Sequence, residues 1–166
     1  MDKENTAVKE SRPEWVDQEL RNVIYQGNVI KDYKIARDGL CISYRVSDKG
    51  KPLEWAGSGP KGQKYPGVTL MLPDIDTIFV DREVKNYNPN NKMVKRTIKI
   101  HTMVADTWGE SMDCPEDLAP YWSTLSTEIK DILRTYFSVD HIDDDRLNNH
   151  VDNLRFVSPR DNHFKR

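Results

Sequence analysis

Long apolar runs are missing from this chain, and so is a cysteine framework. No stretch approaches the roughly 18–20 apolar residues that span a bilayer, and the N-terminal MDKENTAVKESRPEW lacks the apolar centre of a secretory signal. The expectation is a soluble cytoplasmic protein with no membrane partner. Only two cysteines occur, Cys41 and Cys114, far apart and in no CxxC pair. That excludes a disulfide scaffold and a cysteine-based zinc site, and it fits a reducing compartment. Apolar residues are scarce too, at 37% of 166, against 31% charged. A thin core and a wide solvated surface follow, in one domain or two small modules.

A surplus of positive charge is also absent. The net charge of −2 lacks the basic excess that phosphate contacts usually leave. The charge is unevenly spread, however. Arg82 to His101 holds six Lys/Arg against one Glu, whereas Asp106 to Asp145 holds eleven Asp/Glu against two Lys/Arg. A basic stripe and an acidic segment on different faces would hide a binding surface from the average. A plain solvated strand pair explains the stripe equally well.

Residues 1–14 read as a flexible tail. Residues 15–99 read as a β-rich module. Within it, Leu20, Val23 and Ile24 suggest a short helix stripe, and Asp38-Gly39 a hairpin-type turn. WAGSGPKGQKYPG reads as a flexible loop; GVTLML, DTIFVD and KRTIKIH read as strands, with NYNPNN a turn between the last two. In IHTMVADTW, Ile100, Met103, Val104 and Trp108 recur at helical spacing. STEIKDILRTYF carries Ile129, Ile132, Leu133, Tyr136 and Phe137 on one stripe, with Ser126 as N-cap, and so predicts a packing helix.

The last 27 or so residues are the most informative. VDHI reads as a strand, Asp143 to Asn153 as a polar loop, LRFV as a second strand, and Ser158-Pro159 as a helix start. Asp140 and His141 leave a regular strand on opposite faces, so their convergence needs a bend or bulge. Asn162, one turn into the final helix, could face the same cleft. A carboxylate with an amide oxygen is hard, oxygen-only ligation, suited to Mg²⁺ or Mn²⁺ rather than zinc. A histidine beside such a site can activate water for phosphodiester hydrolysis. Asp143–Asp145 do not begin a calcium loop, because Asn148 and Leu154 stand where glycine and glutamate are required. Arg155 alternates with Leu154 and Phe156 and so points away from their core, toward a phosphate or simply into solvent. His101 is expected to pack, and His150 to bond within the loop or stay solvated.

Asp140-His141, Asp143, Asn148-Asn149, Asn153-Leu154-Arg155-Phe156-Val157-Ser158 and Asn162 together resemble the HNH nucleases of the ββα-metal (His-Me finger) superfamily, in particular the phage homing endonucleases. IHTMVADTW resembles the helix that precedes this motif, and DYKIARDGLCISYR with GKPLEW resembles, more weakly, a small accompanying module. The resemblance implies an α+β fold, with the β-rich module followed by a ββα-metal nuclease unit over 100–166. It implies an enzyme that hydrolyses double-stranded DNA with one divalent cation, Mg²⁺ or Mn²⁺. His141 would be the general base, Asp140 and Asn162 the metal ligands, and Asn153 the residue that fixes the loop and the histidine. Arg155, Lys92, Lys95, Arg96 and Lys99 would contact the DNA. No obligate protein partner is evident. Two features depart from the pattern: Asp144-Asp145 replace the usual Gly-Asn turn, and a helical insertion over 109–138 separates the halves. A non-catalytic DNA-binding protein with the same fold, or a structural or inhibitory protein acting through the insertion, are the alternatives.

Overall fold

The computed structural model of the chain describes residues 14–58, 65–73 and 93–159. The tail up to residue 13, DTIFVD, NYNPNN, Lys92, Asn162 and His163 lie outside the described residues.

Four strands open the fold: β1 (Arg21–Tyr25), β2 (Asn28–Ile35), β3 (Cys41–Ser43) and β4 (Lys51–Pro52), paired antiparallel in that order. The helix stripe expected at Leu20–Ile24 is therefore wrong. Gln26 and Gly27, at φ 50° and 79°, make a two-residue turn between paired Tyr25 and Asn28. That twist suits a hairpin, and the β-branched Val23, Ile24, Val29 and Ile30 favour strands. The Asp38-Gly39 turn forms as expected. The Asp38 carboxylate accepts from Leu40 N at 2.9 Å, and Gly39 has φ +89°. A side chain at Gly39 would also stand 2.5 Å from the Ile100 side chain.

The second sheet joins β5 (Ala56–Ser58), β6 (Tyr65–Pro73) and β7 (Met93–Lys99), again antiparallel. The predicted loop over 55–67 thus contains β5 and the start of β6, and residues 59–64 lie outside the described ones. Alternation sorts this sheet cleanly. Val68, Leu70, Leu72, Val94 and Ile98 are buried, while Thr69, Lys95, Thr97 and Lys99 lie on the outer face.

Helix α1 (Ile100–Trp108) follows β7 directly, and seven of its nine residues are buried. It is the keel of the molecule. Val23, Ile35 and Cys41 of the first sheet, Val68 and Leu70 of the second, and Val151, Leu154 and Phe156 near the C-terminus join it in one continuous core. Each fully buried large side chain contributes about 1.5–3 kcal/mol of transfer free energy. Burial pushes the Cys41 thiol up to about 12, so it is an inert core group, and both cysteines are free.

After α1 come a single helical turn, α2 (Ala119–Trp122), and α3 (Thr127–Tyr136). Ser126 caps α3 as expected, accepting from Ile129 N at 3.4 Å. The expected packing stripe is only half used. Leu133 and Phe137 are partly covered, but Ile129, Ile132 and Tyr136 are exposed. On the neighbouring face, Lys130 and Arg134 lie over the Trp122 ring and cover it with their stems. The chain closes with β8 (Ser138–His141) paired antiparallel to β9 (Leu154–Val157). The fold class is α+β. Among the described residues no helix is long and apolar enough to cross a membrane.

Candidate active site

His141 ends β8 and is 4% exposed, one of few buried polar residues. Its Nε2 lies 3.1 Å from Asn149 Oδ1, inside the protein. The orientation of that amide is fixed independently, because Asn149 Nδ2 donates to the Leu147 carbonyl at 3.1 Å. Oδ1 must then accept, so the neutral imidazole carries its proton on Nε2 and presents a lone pair at Nδ1. Asn149 is itself 1% exposed. It was not singled out by sequence reasoning, although its place in the Asn148-Asn149 pair was visible.

Two aromatic neighbours complete the histidine's surroundings. Tyr65 lies nearly parallel to it at 6.2 Å, and His101 of α1 meets it edge-on at 5.3 Å. His101 also meets Tyr65 edge-on at 4.9 Å, so it packs as expected. Burial, with His141 and Lys99 close by, pushes the His101 imidazole down to about 3. It is a neutral wedge rather than an acid or base at ordinary pH.

Asp140 points the other way. The pairing of β8 with β9 is regular, so Asp140 sits opposite Arg155 and His141 opposite Leu154. Arg155 donates from both Nε and Nη2 to Asp140 Oδ2, at 3.0 and 2.9 Å. The bend that would bring Asp140 and His141 to one side is absent from the paired stretch. Arg155, expected either at a phosphate or in solvent, is engaged by its cross-strand neighbour. Beyond it lies a cavity of about 340 Å³, lined by Arg155, Ile142, Phe156 and the acidic turn Asp113, Glu116 and Asp117 of the insertion.

The loop between the strands is held by side chains. Asn153 Nδ2 donates to Asp143 Oδ1 and to the Asn148 carbonyl, both at 2.8 Å, and its Oδ1 accepts from Asp143 N. Asn153 thus clasps the loop ends, while the residue that reaches the imidazole is Asn149. Asp143 is the hub of this clasp. It also accepts from Asp145 N and Asn148 Nδ2, and the Asn148 and Asn153 amides hold its carboxyl below the usual range. His150 bonds within the loop, its Nδ1 accepting from Asp152 N at 3.3 Å.

The basic stripe divides. Lys95 and Lys99 share the outer face of β7, and Arg96 projects to the other side, partly buried. Of Lys95, Arg96 and Lys99, Lys99 reaches the ring beside the histidine, its Nζ standing 4.9 Å from the Tyr65 ring centre. The described residues contain no cluster of three acidic, histidine or cysteine ligands. The donor that stands beside His141 in the chain is the half-buried Asp140 carboxylate. A single hard oxygen donor, 15% exposed and held by Arg155, fits a magnesium-like ion that keeps most of its waters, and not a closed zinc site.

Residues 136–164 match the family model described as HNH endonuclease. A solved structure, described as DNA binding and cleavage by the HNH homing endonuclease I-HmuI, is similar over 89% of this chain at 18% identity and a TM-score of 0.47. This chain spans 56% of that one. Curated proteins give no match.

Proposed function

We propose that this chain, whose residues 136–164 match the HNH endonuclease model, is a metal-dependent DNA endonuclease that hydrolyses phosphodiester bonds of double-stranded DNA. The observation that carries this reading is the buried Nε2–Asn149 bond, which leaves His141 Nδ1 as the acceptor. His141 takes the proton of the attacking water at that nitrogen, and the Asn149 carbonyl oxygen stabilises the imidazolium that forms. Asp140 and Asn162 would hold one divalent cation, Mg²⁺ or Mn²⁺. Bound there, the cation neutralises charge on the phosphoryl and leaving oxygens. Asp140 would share its carboxylate between that cation and Arg155, and Arg155 would keep it aimed. Asn153 keeps the loop closed under the histidine. The resemblance to homing endonucleases supports a phage or mobile-element setting.

Supercoiled plasmid with Mg²⁺ or Mn²⁺ tests this directly. Wild type should convert it to nicked or linear DNA, and His141→Ala should not. Equal conversion by both removes the assignment. The carboxylate already neutralised by Arg155 favours a second reading, a DNA-binding protein without cleavage. Such a protein would shift DNA in EDTA and leave plasmid intact with either metal.

A further inference from the structure

Three remote segments bring two cations and an aromatic ring to the edge of the histidine pocket. Tyr65 opens β6, Lys99 ends β7, and Arg146 sits in the loop between β8 and β9. Lys99 Nζ is 4.9 Å from the Tyr65 ring centre and Arg146 Cζ is 4.8 Å from it. The same ring lies against His141 and His101. The pairing of Gly67 with Lys99 puts no side chain between that lysine and the ring.

The ion-pair pattern sets Arg146 apart from most other described arginines. Arg21, Arg37, Arg45, Arg134 and Arg155 each have a carboxylate partner. Among the described residues, neither Lys99 nor Arg146 forms such a pair. Asp143 and Asp145 precede Arg146 in sequence, but both accept from the loop's own N–H groups. Two like charges gathered at one aromatic ring repel each other. The ring offsets only about 0.5–1 kcal/mol of this at a half-exposed site, whereas an arriving anion binds both through charge-assisted hydrogen bonds. Lys95 continues the row on the same outer face, four residues or about 13 Å along β7. One DNA strand places a phosphate every ~3.4 Å along the helix axis.

We infer that Tyr65, Lys99 and Arg146 form a phosphate clamp, in which Tyr65 holds the two cations against a backbone phosphate of a DNA strand lying beside His141. The choice of DNA as the source of the phosphate rests on the nuclease reading; the clamp itself rests on the cation pair. Arg146 and Tyr65 are binding residues that the basic-stripe reading of the sequence missed, because each lies outside the stripe.

The test is made in EDTA, so that cleavage plays no part. Anisotropy of a labelled 30-base-pair duplex is followed as KCl is raised, with full-length protein. Arg146→Ala and Lys99→Ala should each weaken binding on the order of tenfold. Each should also lower the slope of log affinity against log salt by about one, and the double variant by about two. Tyr65→Ala should behave like the double variant, and Tyr65→Phe, which keeps the ring face, should restore binding. Thermal melting confirms that each variant is folded. Lys51→Ala, on β4 of the first sheet, should not change the slope. Unchanged slopes for Arg146→Ala and Lys99→Ala, an equal loss in Lys51→Ala, or no duplex binding by wild type would overturn the clamp. Reduced slopes in a protein that never cuts plasmid would uphold the clamp and sink the nuclease reading.

Discussion

One peptide bond separates Asp140 from His141, yet their side chains meet different media. His141 is enclosed by an amide and two aromatic rings, with its proton fixed by a buried hydrogen bond. Asp140 is held by a partly exposed arginine, Arg155, which opens onto a wet cavity rimmed with acidic residues. Strand alternation creates this split without any irregular backbone. The dry side can hold a defined tautomer because nothing competes for Nε2. Among the described residues, the wet side opens through the cavity beside Arg155. A hydrolytic site needs both properties, and a two-stranded ribbon supplies them from adjacent residues.

That contrast can be broken from either side. The largest effect is expected from the dry side: His141→Ala should lower the cleavage rate by about 10²–10⁴-fold, with melting temperature checked in parallel. On the wet side, Asp140→Asn should raise the Mg²⁺ concentration needed for half-maximal rate by about tenfold or more, read from a metal titration. Asn149→Asp sharpens the tautomer argument. A carboxylate beside Nε2 favours the protonated imidazole, so the acid limb of the rate profile should move to higher pH by about one unit. Asn149→Ala should cost about 1–3 kcal/mol, roughly 10–100-fold in rate, without that displacement.

His101 gives a pH signature to the dry side. The unfolded chain binds a proton on this imidazole below about pH 6.5, whereas the folded chain does not until about 3. The unfolded state therefore holds more protons in this window, and stability falls as pH drops through it. Between pH 7 and pH 5 the loss should reach about 2 kcal/mol in urea unfolding, and His101→Gln should remove it. The smallest effect belongs to the wet rim. Asp117→Asn should raise DNA affinity by only about twofold, since exposed charges are screened by salt.

The legibility of the sequence divides along similar lines. α1 was readable to the residue, because Ile100, Met103, Val104 and Trp108 all reach the core. The same periodicity over α3 identified a helix but not its buried side, which Lys130, Arg134 and Trp122 decide by contacts distant from the apolar stripe. The β1–β2 hairpin was missed because Gln26-Gly27 is a weaker turn signal than Asp38-Gly39, and the apolar residues before it fit either period. In the site, the strand–loop–strand order was visible; the expected convergence of Asp140 with His141 was not met, because β8 pairs regularly and alternation keeps the two apart. The Asn149 bond and the Tyr65 platform were not visible, since both are contacts between segments. Asn149 is eight residues from its imidazole, and Tyr65 is farther still from His141 and Arg146.

The turn at Arg37–Gly39 carries one more consequence. The Arg37 carbonyl accepts from Val151 N at 2.8 Å, and a methyl group at Gly39 would press on Ile100 and stand 3.3 Å from the Asn149 β-carbon. The first sheet is thus the mould against which the histidine's support is cast. Transplanting residues 136–164 into another scaffold would leave that mould behind, so this segment is not a portable cassette. Shuffling among related chains would have to carry the opening meander along with it.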